Sequence, residues 1–304
     1  MKVYVSDTQY QTHIKNRFKD RIELVDNKAI ADTLITGSYQ TKDYSLKNKT
    51  IIIPYTGHDN IDISLLYKKK MHLFNTTVHS RYVAEKAVQL MQALLGNTIH
   101  YHKNMQQGDW SNRNNKDRVS WVSTFDKRIG IFGYGRIGQW IQKLLEPYTN
   151  HFYTLDRGKN YPNINTVPTL EALLKTVDIV FVATPHTAST EHAFNDALLK
   201  QFKNGYIVNV ARGKIIDQHA LYQRLTDNTL KGFASDVWYN YPKHDSLTFP
   251  AEVPLHTLSN VVMSPHCAAL TDHAKTEMMD KVMEHLNNIL QKDFSEALDL
   301  KRLN

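Results

Sequence analysis

Cysteine is almost absent: Cys267 is the single thiol in 304 residues. That excludes an internal disulfide framework and a cysteine-based zinc site, and it suits a reducing compartment. Long apolar runs are missing too. No stretch approaches the roughly 20 residues that span a bilayer, and the opening MKVYVSDTQY lacks the apolar core of a signal peptide. The chain is therefore expected in the cytoplasm, away from membranes. Clustered positive charge is also lacking. The net charge of +7 comes from scattered Lys and Arg, with Lys68-Lys69-Lys70 as the densest run. Three lysines suit a solvated turn, so no nucleic-acid partner is expected, and anionic small molecules give a milder reason for the positive field. No grouping of His, Asp or Glu has ligand spacing, so no metal is expected. Internal repeats and low-complexity tracts are absent. The 41% apolar and 22% charged residues are the balance of a globular protein with core enough for one large or two ordinary domains.

The stretch 128–138, RIGIFGYGRIG, joins a short apolar run to Gly133-Tyr134-Gly135-Arg136-Ile137-Gly138 and then to the amphipathic QWIQKLLEPY. This reads as strand, tight turn and helix. Gly133 allows the turn, Gly135 lets a pyrophosphate approach the backbone, and Gly138 lets the helix sit against the strand. The N–H groups opening that helix would hold the phosphates. A second apolar run, HFYTL, ends at Asp156, whose carboxylate can accept from the ribose hydroxyls of a dinucleotide. A carboxylate there repels a 2′-phosphate and favours NAD over NADP, a preference that the neighbouring Arg157 would blunt.

The first hundred residues alternate apolar runs (KVYVS, IELV, TLITG, TIIIPYTG, MHLFN) with polar helical patterns, as a parallel α/β unit does. They end in 80–95, where Val83, Ala87, Leu90, Met91 and Leu94 recur at helical spacing until Gly96-Asn97 stops the pattern. Residues 100–118 are polar and without period, so they read as a surface connection, with a domain boundary near 97. From 128, six apolar runs separated mostly by helical patterns describe a doubly wound sheet. A last helix over 271–291 carries Met278, Val282, Met283, Leu286 and Leu290 on one stripe, suited to core or dimer packing. The tail from about 290 returns to the first unit, leaving 98–289 as the dinucleotide domain.

Two residues stand where doubly wound sheets put their ligands, at strand carboxyl ends. Arg212 follows GYIVNV in Ala211-Arg212-Gly213-Lys214; a guanidinium there would grip a carboxylate and polarise a carbonyl, although a surface arginine in a strand-to-helix turn is an equal reading. His266 follows the last strand in Ser264-Pro265-His266. Its imidazole, with an ordinary pKa near 6.5, would exchange a proton with a carbonyl oxygen as hydride moves. His266 is one histidine among fifteen, and position singles it out.

These pieces together resemble the D-2-hydroxyacid dehydrogenase family over nearly the whole chain. The matching motifs, in order, are Gly57-His58-Asp59-Asn60-Ile61-Asp62, Val83-Ala84-Glu85, Gly108-Asp109-Trp110, GYGRIG, VATPHTAST, NVARGKIID, SDV at 235–237 and SPHCAALT. The resemblance implies two α/β domains, a Rossmann doubly wound parallel sheet inserted in a smaller flavodoxin-like substrate domain. It implies NAD as cofactor, a small 2-keto or 2-hydroxy acid as substrate, and a homodimer formed through 80–95 and 100–118. It gives Arg212 the substrate-binding role and His266 that of acid/base, with backbone amides near Thr56, Gly57 and His58 on the substrate carboxylate. Arg136 and Ile137 would lie along the pyrophosphate, Asp156 on the ribose, Pro185 and Thr190 around the adenosine side, Val210 and Ala211 beside the cofactor, and Asp236 against the nicotinamide carboxamide.

One position departs from the family. Five residues after the aspartate of its DV motif the family commonly has a Glu before a Pro, paired with the catalytic histidine; here Tyr241 precedes Pro242. A phenol cannot raise the histidine pKa as a carboxylate does. His266 is therefore expected to titrate low, with Tyr241 left to orient it by a hydrogen bond. Formate-oxidising members also lack that Glu, and DVW at 236–238 with Thr-Pro-His at 184–186 resemble them. Formate ranks below keto acids because the long N-terminal extension of that group is not seen. Phosphoglycerate is not selected by any residue. The alternative from another class is an NADH-sensing regulatory protein with little turnover.

Overall fold

Five short apolar runs at the start of the chain form β1 (Lys2–Val5), β2 (Glu23–Val25), β3 (Thr33–Ile35), β4 (Thr50–Ile53) and β5 (His72–Asn75). They pair in parallel in the order β2-β1-β3-β4-β5, the flavodoxin-like arrangement. The inner strand β4, TIII, is buried at every position, as a strand covered on both faces must be. The computed structural model describes residues 1–114, 120–159, 161–243 and 246–303. Helices α1 (Gln9–Phe18) and α2 (Ile63–Lys68) belong to this first unit, which comprises Met1–His79 with Leu270–Asn304.

The second unit, Ser80–Ala269, begins with α3 (Ser80–Leu95), α4 (Thr98–Gln106) and α5 (Ser111–Asn114). It continues with β6 (Ile129–Phe132), α6 (Arg136–Leu145), β7 (Phe152–Leu155), β8 (Asn165–Val167), α7 (Leu170–Thr176) and β9 (Ile179–Val182). After these come α8 (Asp196–Leu199), β10 (Tyr206–Asn209), α9 (Gln218–Thr226), β11 (Gly232–Ser235) and β12 (Val261–Met263). All seven strands are parallel, in the order β12-β11-β10-β9-β6-β7-β8. The order reverses between β6 and β9, the switch point at which such sheets open a crevice.

The expected boundaries at 97 and 290 move to 79/80 and 269/270. The reason is what covers each apolar stripe. On α3, Val83, Ala87, Leu90, Met91 and Leu94 share a buried cluster with Ile129, Ile141 and Phe181 of the second unit. The last long helix, α10 (Ala274–Leu290), packs Met279, Val282, Met283 and Leu286 with Val3, Phe18, Ile52 and Phe74 of the first. Met279 and Met283 are core, whereas Met278 of the expected stripe is half-buried and lies outside that cluster. The closing turn of helix, α11 (Leu300–Leu303), buries Leu300 beside Leu66.

Two further differences have physical causes. The sheet has a seventh strand, β8, whose residues Asn165 and Thr166 are exposed; an exposed edge strand of three residues carries no apolar run. The polar 100–118 stretch is helical where it is described: α4 starts at the left-handed Asn97 (φ 49°) and buries no residue within this chain, so it shows no period. Residues 115–118, like 244 and 245 of the 239–250 loop, lie outside the described residues. Among the described residues no helix is long and apolar enough to cross a membrane.

Candidate functional site

The glycine turn opens at the switch point. Gly133 has φ 109°, and a Cβ there would lie 2.5 Å from Thr184 N, so both conformation and space demand glycine. Gly138 lets α6 settle on the turn, since its Cβ would sit 2.5 Å from Gly133 O. Gly135 differs from both. It precedes α6 in an extended conformation, and a Cβ on it would meet nothing within 4 Å. The backbone is therefore open to an approaching group where Arg136 and Ile137 begin the helix, the place a pyrophosphate takes.

A cavity of about 170 Å³ at the carboxyl ends of β6 and β7 is lined by Gly133, Tyr134, Leu155, Arg157, Tyr161 and Thr184, among others. The Tyr134 hydroxyl donates to Gln142, and its ring meets Tyr161 edge-on with centroids 4.9 Å apart. Asp156 is exposed, and its Oδ1 accepts from Gly158 N at 2.8 Å. Beyond β9, Thr190 is buried; its Oγ1 donates to Pro185 O and accepts from Thr187 N, each at 2.8 Å, and so closes the turn that follows Thr184. Thr190 thus shapes this loop through its side chain, while Pro185 is exposed beside it. These residues fit a dinucleotide: an open backbone at a helix start, an acid after β7, and a cavity between them. The Tyr134, Arg157 and Tyr161 lining was not singled out as a group from sequence, because aromatic and basic residues in loops carry no spacing signal.

The carboxyl ends of β10, β11 and β12 are stitched together. Val210 and Ala211 are buried after β10. Asn209 braces the turn that follows: its Oδ1 accepts from Ala211 N and its Nδ2 donates to Arg212 O, both at 3.0 Å. The Arg212 guanidinium donates to Ala211 O at 2.7 Å. Gly213 comes so close to the Trp238 carbonyl that no Cβ fits. Trp238 Nε1 in turn donates to Ser264 O at 2.8 Å. Asp236, 1% exposed, accepts from Cys267 N at 3.0 Å, from Ala268 N at 2.8 Å, and from the Ser264 hydroxyl. His266 stands inside that clamp with φ 55°, a conformation that a non-glycine residue keeps only when its surroundings hold it. The Asp236 carboxylate therefore fixes the turn that presents His266. Ser264 completes the clamp, and sequence gave no sign of it beyond its place two residues before the histidine.

Burial lowers the His266 pKa and the Arg212 charge adds to this, while Asp236 opposes them. The residue as a whole remains exposed, so solvent screens the effect. Tyr241 lies beside it, ring centroids 5.4 Å apart and planes at 52°. The expected hydrogen bond between them is not formed; the Tyr241 hydroxyl accepts instead from Trp238 N at 3.1 Å, because a phenol three residues past a free amide reaches back to it. Burial raises the Tyr241 pKa, which keeps the phenol neutral. Among the described residues no carboxylate is hydrogen-bonded to the His266 ring, and Tyr241 holds the sequence position of the family's Glu.

In the first unit Thr56, Gly57 and His58 follow β4 in a loop. Their three consecutive N–H groups donate to no acceptor among the described residues, which leaves them available to a ligand. The His58 carbonyl accepts from Ile61 N at 3.0 Å and turns the chain toward α2.

Residues 88–268 match the model of the D-isomer specific 2-hydroxyacid dehydrogenase NAD binding domain. The chain belongs to the D-isomer specific 2-hydroxyacid dehydrogenase family. It is 30% identical over 261 residues to formate dehydrogenase of Pseudomonas sp. (strain 101), covering 82% of this chain and 63% of that protein. It is 31% identical over 240 residues to glyoxylate reductase of Pyrococcus horikoshii, covering 76% and 70%. The chain spans about half to three quarters of the length of its first curated relatives. The fold is that of NAD-dependent formate dehydrogenase from Staphylococcus aureus in complex with NAD, with TM-score 0.77, 24% identity and 96% of each chain covered. The matched dehydrogenase domain contains the glycine turn, Arg212, Asp236 and His266.

Proposed function

We propose that the protein is an NAD-dependent D-2-hydroxyacid dehydrogenase that interconverts a small 2-keto acid, of the glyoxylate or hydroxypyruvate kind, and its D-2-hydroxy acid. The observation that carries this reading is the clamp on His266: a buried carboxylate spends its bonds holding one imidazole in a left-handed turn within the field of Arg212. A purely structural histidine would not need that. The Gly133–Gly138 turn would hold NAD(H), which when bound would supply or accept the hydride. Arg212 grips the substrate and draws electron density toward its carbonyl oxygen, and the amides of Thr56, Gly57 and His58 hold its carboxylate. In reduction the His266 imidazolium gives its proton to that oxygen and refills from solvent; in oxidation the neutral ring removes it.

The relatives named above are dehydrogenases and reductases, which favours turnover over NADH sensing. Asp156 supports NAD as the preferred dinucleotide. A cytoplasmic homodimer completes the reading, with Ile99, Met105 and Trp110, all exposed in the single chain, in the contact. Incubating the protein with NADH and glyoxylate, hydroxypyruvate, pyruvate or branched 2-keto acids tests it. NADH consumption that Arg212→Ala and His266→Ala abolish is expected; tight NADH binding with no consumption for any acid overturns it in favour of the regulatory alternative.

A further inference from the structure

His79 is the last residue of the first unit and is 5% exposed. Neither the dinucleotide turn nor the Arg212–His266 cluster uses it. Its Nε2 lies 2.9 Å from the Thr56 hydroxyl, in the loop whose amides face no acceptor. The Thr56 hydroxyl donates its one proton to Thr76 O at 3.1 Å. A carbonyl can only accept, so the His79 Nε2–H must be the donor to Thr56. Asn75 Nδ2 donates to the Thr56 carbonyl at 2.8 Å. Thr56 is thus held at its side chain and its backbone by Asn75 at the end of β5 and by Thr76 and His79 after it, although the loop itself has no helix or strand to fix it.

The tautomer is fixed by the same accounting. Donation at Nε2 leaves Nδ1 as a buried lone pair that no described residue meets, and burial lowers the His79 pKa, which keeps the ring neutral. A neutral imidazole bonded to the Thr56 hydroxyl adds no competing anion to the Thr56-Gly57-His58 loop.

We propose that His79 is a positioning residue for carboxylate recognition: through its bond to Thr56 it sets the Thr56-Gly57-His58 amides and thereby the affinity for the substrate carboxylate, not the rate of hydride transfer. This rests on the keto-acid reading above and deepens it. Two readouts separate the inference from that reading. One is KM and kcat for the keto acid turned over fastest; the other is the binding of oxamate, an unreactive keto-acid mimic, to the NADH-loaded protein.

Removing one neutral hydrogen bond at a ligand loop predicts that His79→Ala raises both KM and the oxamate Kd by about tenfold, with kcat within about threefold of wild type. The Kd for NADH stays unchanged. His79→Gln, whose amide N–H reaches the same hydroxyl, restores most of the affinity. Thr56→Val reproduces the loss, and adding His79→Ala to it costs little more. Unchanged KM and oxamate Kd in His79→Ala overturn the inference while leaving the dehydrogenase reading intact, as does a fall in kcat at constant KM or a His79→Gln variant as impaired as His79→Ala. If no keto acid is consumed yet oxamate binding weakens in His79→Ala, the activity reading fails and the role of His79 stands; wild-type protein that binds no oxamate overturns that role. Should His79→Ala not fold, Thr56→Val decides: raised KM and oxamate Kd support the inference, and wild-type values overturn it.

Discussion

The glycine turn after β6 and the loop after β4 are built on opposite principles. After β6 the shape is imposed by the backbone: Gly133 takes φ 109° against Thr184, and nothing but glycine fits. After β4 the shape is imposed by residues that arrive later in the chain: the Asn75 and His79 side chains and the Thr76 carbonyl close on Thr56. The turn after β12 follows the second principle, because Asp236 holds His266 across a separation of about thirty residues. A loop fixed by backbone sterics leaves a local mark in sequence. A loop fixed by distant partners leaves none.

The largest expected effect comes from the side-chain-held turn. His266→Ala should lower kcat by about 10²- to 10⁴-fold while leaving NADH binding intact, since it removes the proton donor alone; steady-state kinetics beside an NADH titration checks this, and equal losses in both would contradict it.

The backbone-held turn is next. Gly133→Ala should cost about 3 kcal/mol or more of stability, from a left-handed conformation and a Cβ crowded against the 183–184 backbone. Gly135→Ala meets nothing within 4 Å, so it should fold within about 0.5 kcal/mol of wild type and yet bind NADH about tenfold more weakly. Denaturant unfolding with parallel NADH titration separates the two; a stable Gly133→Ala, or a Gly135→Ala that binds as well as wild type, would break the comparison.

The missing carboxylate beside His266 gives a smaller and sign-defined effect. Burial and Arg212 hold its pKa below the usual histidine value, so the imidazolium needed for reduction is lost at a lower pH than in a Glu-bearing site. Tyr241→Glu favours the charged ring and should move the alkaline fall of keto-acid reduction upward by about one pH unit. Coincident pH profiles for the two proteins would remove Tyr241 from the account.

The smallest effect is expected at the opposite end of the sheet. There Asp178 accepts from Arg128 Nη2 at 2.7 Å, from Nε at 3.2 Å and from the Arg128 backbone at 2.9 Å. Arg128 lowers the Asp178 pKa. A depressed carboxylate stabilises above its unfolded pKa and stops doing so as pH falls through the folded value, so Asp178→Asn should cost about 1 kcal/mol near neutrality. That difference should vanish in acid below the ordinary aspartate range. A difference that persisted undiminished there would point to packing instead of charge.

How much was legible follows from the same contrast. The strands of both sheets were readable because runs such as IGIF and IVFV are buried throughout, and GYGRIG with Asp156 marked the dinucleotide turn. The edge strand β8 and the polar helix α4 bury too little to leave a pattern. Periodicity shows that one face of α3 is apolar without showing that Ile129, Ile141 and Phe181 cover it. The places of Arg212 and His266 at the carboxyl ends of β10 and β12 were readable from the apolar runs that precede them. The Asp236–Ser264 clamp and the hold of His79 on Thr56 could not be read, since hydrogen bonds between residues twenty or thirty positions apart have no period.

The central claim is that hydride passes to C2 of a keto acid while His266 supplies the proton. The most direct measurement is the product formed with NADH deuterated at nicotinamide C4. The account predicts one deuterium at C2 of a D-2-hydroxy acid from one of the two C4 label faces, with no label in the hydroxyl once exchanged in water. A product without deuterium from either face, or of L configuration, would contradict it.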